Sequence, residues 1–255
     1  MSIESDRLDG RHAVVTGAGR GIGRGAALAL AAAGAAVTLV ARSDEDLEAV
    51  AGEIERGGGK AWGRPADVRD EAAVEAVFDA AGGESPPPSI LVTAAGVNRT
   101  GPTADYDLAD WDLLADVNVR GTFIACRALG RRLVARGEPG SIVTLSSQMG
   151  SVGYPGRAAY CATKHAVNGL TKALAVEWAP QRITVNAVAP TFVRTPMTES
   201  MLADPEFAAE VARRIPGGEI ASVDDVAAAI LYLASDRARS VTGHVLAVDG
   251  GWTAW

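Results

Sequence analysis

Apolar and polar residues alternate in blocks along this chain. Short runs rich in β-branched side chains are each followed by a longer stretch whose apolar positions recur every three to four residues. The pattern predicts strands at 12–16, 36–41, 60–64, 90–94, 141–146, 182–188 and 245–248. Between them it predicts helices at 22–33, 44–56, 71–81, 110–136, 158–179 and 223–235, the last opened by Ser222 with Asp225 in a capping box. Such alternation predicts parallel strands joined by helical crossovers, an α/β doubly wound sheet of about seven strands with helices on both faces.

Two low-complexity stretches, Gly57-Gly58-Gly59 and residues 82–89 with Pro86, Pro87 and Pro88, lie inside that series, so they read as loops and residues 1–255 as one domain. Residues 191–218 break the rhythm. Pro196, Pro205 and Pro216 and a small apolar set, Met197, Met201, Leu202 and Phe207, suit a lid over a ligand.

Composition narrows the function. With 255 residues, 48% hydrophobic and 22% charged, the chain has material for a large core. A net charge of −7 without any Lys/Arg run argues against a nucleic-acid partner. Residues 1–11 are charged and polar, unlike a secretory signal, and the longest apolar run, 26–40, is too short to span a bilayer, so a soluble cytoplasmic protein with no membrane partner is expected. Cys126 and Cys161 give no disulfide framework and read as packing residues. His12, His165 and His244 are scattered, and no metal site is expected.

Chemistry concentrates in two places. Thr16-Gly17-Ala18-Gly19-Arg20-Gly21-Ile22-Gly23 follows the first strand and opens the first helix. There, unpaired amides and the positive end of a helix dipole can hold a pyrophosphate, although the strict Gly-x-Gly-x-x-Gly fingerprint fails at Ile22. Tyr160 and Lys164 lie four apart on a predicted helix, so they share a face. An ammonium beside a phenol favours the phenolate and would bring its titration toward neutrality. Ser147 and Asn118 lie upstream; taken singly, they also fit a strand-end cap and a helix-kinking amide.

Together, Thr16-Gly17-x-x-x-Gly21-x-Gly23, Asp67-Val68, Ala94-Ala95-Gly96, Asp116-Val117-Asn118, Ser147 and Tyr160-x-x-x-Lys164 resemble the classical short-chain dehydrogenase/reductase family over nearly the whole chain. Two residues depart from it: Thr93 stands where the family usually has Asn, and Thr191 follows Pro190 where it usually has Gly. The resemblance implies a Rossmann-like fold and hydride transfer between a nicotinamide cofactor and a small alcohol or ketone. It implies that Tyr160 moves the proton, that Lys164 favours the phenolate and holds the ribose, and that Ser147 bonds the substrate oxygen. Asn118 would hold a water linking Lys164 to solvent. The implied cofactor contacts are Gly17, Arg20, Gly21, Ile22, Gly23, Arg42, Asp67, Val68, Ala95, Gly96, Tyr160, Lys164, Pro190, Val193 and Thr195.

The second strand ends on Ala41 where an acidic residue would select NAD, and Arg42 follows, so NADP is preferred with NAD as the alternative; Asp44 could reach the ribose. Asp249-Gly250-Gly251-Trp252 and Glu177-Trp178-Ala179-Pro180 resemble members acting on sugar acids and polyols, with a 3-oxoacyl reductase as the alternative. A non-catalytic cofactor-binding sensor or scaffold is the reading from another class. Asn98, Arg99, Gln148, Met149 and Tyr154 follow predicted strands and are candidate substrate contacts, Arg99 for a carboxylate. The resemblance further implies a homotetramer, a dimer of dimers built on the helices at 110–136 and 158–179.

Overall fold

The computed structural model describes residues 7–84 and 86–254. Residues 1–6 of the polar N-terminal stretch and Ser85 of the predicted 82–89 loop lie outside the described residues. Seven parallel strands form one sheet: β1 His12–Thr16, β2 Ala36–Ala41, β3 Lys60–Pro65, β4 Ile90–Thr93, β5 Gly140–Leu145, β6 Ile183–Pro190 and β7 Val245–Val248. Their order is β3-β2-β1-β4-β5-β6-β7, so the winding reverses between β1 and β4. Open α/β sheets bind ligands at that crevice.

Each strand feeds both faces, because successive side chains point to opposite sides. Ala13 and Val15 of β1 join one core with α1 Gly21–Ala32, α2 Asp44–Arg56 and α9 Val223–Ala234. Val14 joins the other core, with α3 Glu71–Gly82, α5 Thr122–Arg136 and α6 Ala158–Trp178. Most predicted boundaries hold within a residue or two. Strand β6 runs on to Pro190 because Val248 of β7 pairs with it.

One predicted helix needs correction. The stretch at 110–136 is not continuous: α4, Leu108–Leu114, gives way to a π-helical stretch, Ala115–Gly121, before α5 begins. Within it the Asn118 amide binds the Val97 backbone, donating to its carbonyl (2.9 Å) and accepting from its N–H (2.8 Å). A side chain tied to the loop after β4 has a use for the extra residue that a wider turn provides.

Beyond β6, α7 Glu199–Leu202 and α8 Pro205–Arg214 pack over a third apolar cluster of Met149, Phe192, Val211, Ile215 and Trp252. These helices occupy the stretch read as a lid.

Candidate active site

A cleft of about 660 Å³ opens at the reversal of strand order. Its first wall is the glycine turn after β1. Helices α2, α3, α4, α8 and α9 open with Ser or Asp side chains capping their N–H groups. Helix α1 opens on Arg20 with no side-chain cap and no acidic residue in its first turn. Its amides and dipole are left for an anion. Gly17 has φ +69°, and a Cβ there would lie 2.6 Å from the Ala95 nitrogen; one on Gly23 would collide with the Gly17 carbonyl. The turn therefore brings backbone close to whatever enters, as a pyrophosphate requires. Deeper in, Thr191 Oγ1 and Asn98 Oδ1 line the cleft, buried and without a protein partner. A dinucleotide fits this cradle. Every residue named from the sequence as a cofactor contact lines it, and so does Ser147.

At the inner end stand Ser147, Tyr160 and Lys164. Ser147 follows β5 in extended backbone, and its Oγ accepts from the Met149 N–H (3.2 Å). Tyr160 and Lys164 project from the same face of α6, with the Lys164 Nζ 5.6 Å from the Tyr160 ring centroid and donating to the Leu145 carbonyl (2.8 Å). The expected phenolate-favouring shift is not what the structure gives. Burial pushes the Tyr160 hydroxyl up to about 12, opposed by a hydrogen bond with Ser147 and the charge of Arg157. Burial also pulls Lys164 down to about 8. Desolvation outweighs proximity because Lys164 is buried and Tyr160 partly so. The pair is thus a protonated phenol beside a cation that is mostly charged at neutral pH.

Asn118 is buried and off the cleft wall, with its amide spent on Val97 and on Thr163 Oγ1 (3.2 Å). The amide thereby brackets the loop after β4. Arg99 lines the cleft but is half-exposed, and its Nε pairs with Asp110 (3.4 Å). Gln148 and Met149 are buried beneath the turn and do not line the cleft. Tyr154 also lies off it, packed on Phe192 and Trp252 with its hydroxyl 3.5 Å from Glu210.

A family model described as enoyl-(acyl carrier protein) reductase, from the short-chain dehydrogenase/reductase group, matches residues 17–253. The chain belongs to the short-chain dehydrogenase/reductase family. This reductase-family chain is 45% identical to galactitol 2-dehydrogenase (L-tagatose-forming) of Cereibacter sphaeroides over 98% of its length and 97% of the relative's. It is 40% identical to D-threitol dehydrogenase of Mycolicibacterium smegmatis, over 99% and 97%. Its fold matches a gluconate 5-dehydrogenase of Burkholderia cenocepacia, solved in complex with NADP and tartrate, with TM-score 0.95, 36% identity and coverage of 99% and 98%.

In this short-chain dehydrogenase/reductase Asp46 and Thr198 line the cleft without having been named from the sequence. Asp46, not Asp44, is the acidic residue on the wall beside Ala41 and Arg42. Its position in the first turn of α2, facing Gly19, was the available signal. Asp67 is engaged by Arg69 (2.7 Å), which holds its carboxyl below the usual range. Met197 and Thr198 close the cleft from the lid side. Among the described residues no cluster of His, Cys, Asp or Glu forms a metal site, and no helix is long and apolar enough to cross a membrane. Cys126 and Cys161 are free and buried.

Proposed function

We propose that this chain is an NADP(H)-dependent dehydrogenase interconverting a secondary alcohol and a ketone on a sugar acid or polyol, with Ser147, Tyr160 and Lys164 as its catalytic residues. The observation that carries the reading is their convergence at the inner end of a cleft whose outer half is an uncapped helix N-terminus. Gly17, Gly21, Ile22 and Gly23 would hold the pyrophosphate, Asp67 and Val68 the adenine, Ala95 and Gly96 the adjoining backbone, and Pro190, Val193 and Thr195 the nicotinamide side. Arg20 and Arg42 face the 2′-phosphate as charge-assisted donors, against Asp46. When bound, the nicotinamide supplies or accepts the hydride.

Tyr160 holds the proton that passes to the substrate oxygen. Ser147 donates to that oxygen as negative charge grows on it, and a preorganised donor in a dry site stabilises such charge strongly. Lys164, a buried cation at 5.6 Å from the ring, offsets negative charge left on the phenol. Residues 191–218 exclude water from this end, and residues 1–255 act as one catalytic domain. The relatives named for galactitol and threitol, and the relative solved with NADP and tartrate, support the polyol or sugar-acid class over a 3-oxoacyl reductase.

Leu108, Trp111, Phe123 and Val176 expose apolar surface on α4, α5 and α6, which supports self-association through those helices, and the assembly proposed is a homotetramer in the cytoplasm. Sedimentation at micromolar concentration should give a dimer or tetramer; monomer alone would reject that assembly. Reduced-nicotinamide absorbance against alditols, aldonates, ketoses and an acyl thioester tests the activity. Turnover with an alditol or aldonate is expected. Turnover with the thioester alone, or cofactor binding without turnover on any of them, would overturn the proposal.

A further inference from the structure

Arg157 is the only buried arginine among the described residues, 5% exposed. It stands three residues before Tyr160, at the open N-terminus of α6, where no side chain caps the helix. Its guanidinium lies over two aromatic rings, Tyr154 and Phe192, each centroid 5.6 Å away, and Nη2 donates to the sulfur of Met201 (3.0 Å). A thioether is a weak acceptor, and a guanidinium has five N–H donors to satisfy. Burying such a cation without an anion is costly. The groups acting on it electrostatically are Tyr154, Tyr160 and Cys161, none of them a carboxylate. Neighbouring arginines differ: Arg214, on Tyr154 at 5.3 Å, is paired with Glu210 (2.9 Å), and Arg99 with Asp110 (3.4 Å).

We propose that Arg157 is the specificity residue that receives a substrate carboxylate, so that the physiological substrate is a hydroxy or keto acid and not a neutral polyol. The inference rests on the dehydrogenase reading above and deepens it. The carboxylate would supply the missing counter-charge and occupy donors that sulfur serves poorly. Its place beside the proton-moving phenol would fix which carbon of the acid meets Tyr160 and Ser147.

The test compares aldonates of graded length with the alditols of the same carbon skeleton, by kcat/KM with NADP⁺ and by calorimetric titration of the NADPH-bound protein. Wild type should favour acids in both readouts. Arg157→Gln should lower the acid-to-alditol ratio by roughly 10- to 150-fold, through KM and not kcat, the scale of a lost hydrogen bond to a charged group. Arg157→Lys should restore part of it. Arg157→Met keeps the apolar packing and reports the same ratio if the glutamine variant does not fold. A wild type that oxidises alditols and neither binds nor oxidises aldonates keeps the dehydrogenase reading and overturns this inference. Aldonate binding lost with Arg157, without turnover of any substrate, would keep the carboxylate site and overturn the dehydrogenase. Variants with the wild-type ratio would show Arg157 to be a packing residue.

Discussion

Asn118→Ala separates a structural bracket from a catalytic relay. The variant removes the partner of the Val97 N–H and of the Val97 carbonyl, and a bond to Thr163. Each part-buried backbone group left unpaired costs about 1–2 kcal/mol and the lost side-chain bond about 1 kcal/mol, giving roughly 3–5 kcal/mol in all. For a chain of this size each kcal/mol shifts melting by about 2–4 °C, so the midpoint should fall by roughly 6–20 °C. Turnover should fall with it, because the loop from Ala95 to Arg99 lines the cleft and loses its tether. Thermal melting by circular dichroism, with kcat measured well below the new midpoint, gives both quantities. A melting point within about 2 °C of wild type together with a roughly 10²-fold loss of kcat would refute the bracket and return Asn118 to the proton path.

Arg42→Ala should weaken NADP(H) binding by about 1.5–3 kcal/mol and barely change NAD(H), and Ala41→Asp should act in the same direction; equal effects of Arg42→Ala on both cofactors would place Arg42 outside the phosphate site. His12 gives a pH-dependent term. Its Nδ1 faces the Pro86 carbonyl (2.8 Å) and so carries the proton, while Nε2 lies 2.9 Å from Thr38 Oγ1. Burial depresses its ionisation below the ordinary 6.5. The unfolded chain therefore takes up a proton first, and stability is lost as pH falls from about 6.5 through the depressed folded value. Denaturant midpoints measured across that window should fall with acid in wild type and less so in His12→Gln; parallel slopes would assign the loss to other groups.

The sheet was legible because its central strands are short apolar runs buried on both faces, and the glycine turn and the Tyr160–Lys164 spacing are local. What lay beyond reach depends on contacts between distant segments. Apolar periodicity through 110–136 does not register the extra residue that the π-helical stretch inserts, since Val97 draws Asn118 out of line only in three dimensions. Spacing placed an ammonium beside a phenol but said nothing of burial, which decides the direction of both shifts. The pairing of Arg99 with Asp110 joins the loop after β4 to α4 and has no local signal. Arg157 did carry a signal, three residues before Tyr160 on the same helical face, yet its burial follows from Phe192 and Met201, which the lid segment brings over it.

The central claim is that Tyr160 supplies the proton in an NADP-linked oxidoreduction. A phenol held protonated, with burial pushing it up to about 12, suits that role. The most direct measurement is the turnover of Tyr160→Phe beside wild type on the best substrate of the panel, with NADPH affinity measured on both proteins. The substitution keeps the ring and removes only the transferable proton. A fall of roughly 10²-fold or more in kcat with NADPH affinity retained is the predicted result. A variant that turns over at a near-normal rate would contradict the account.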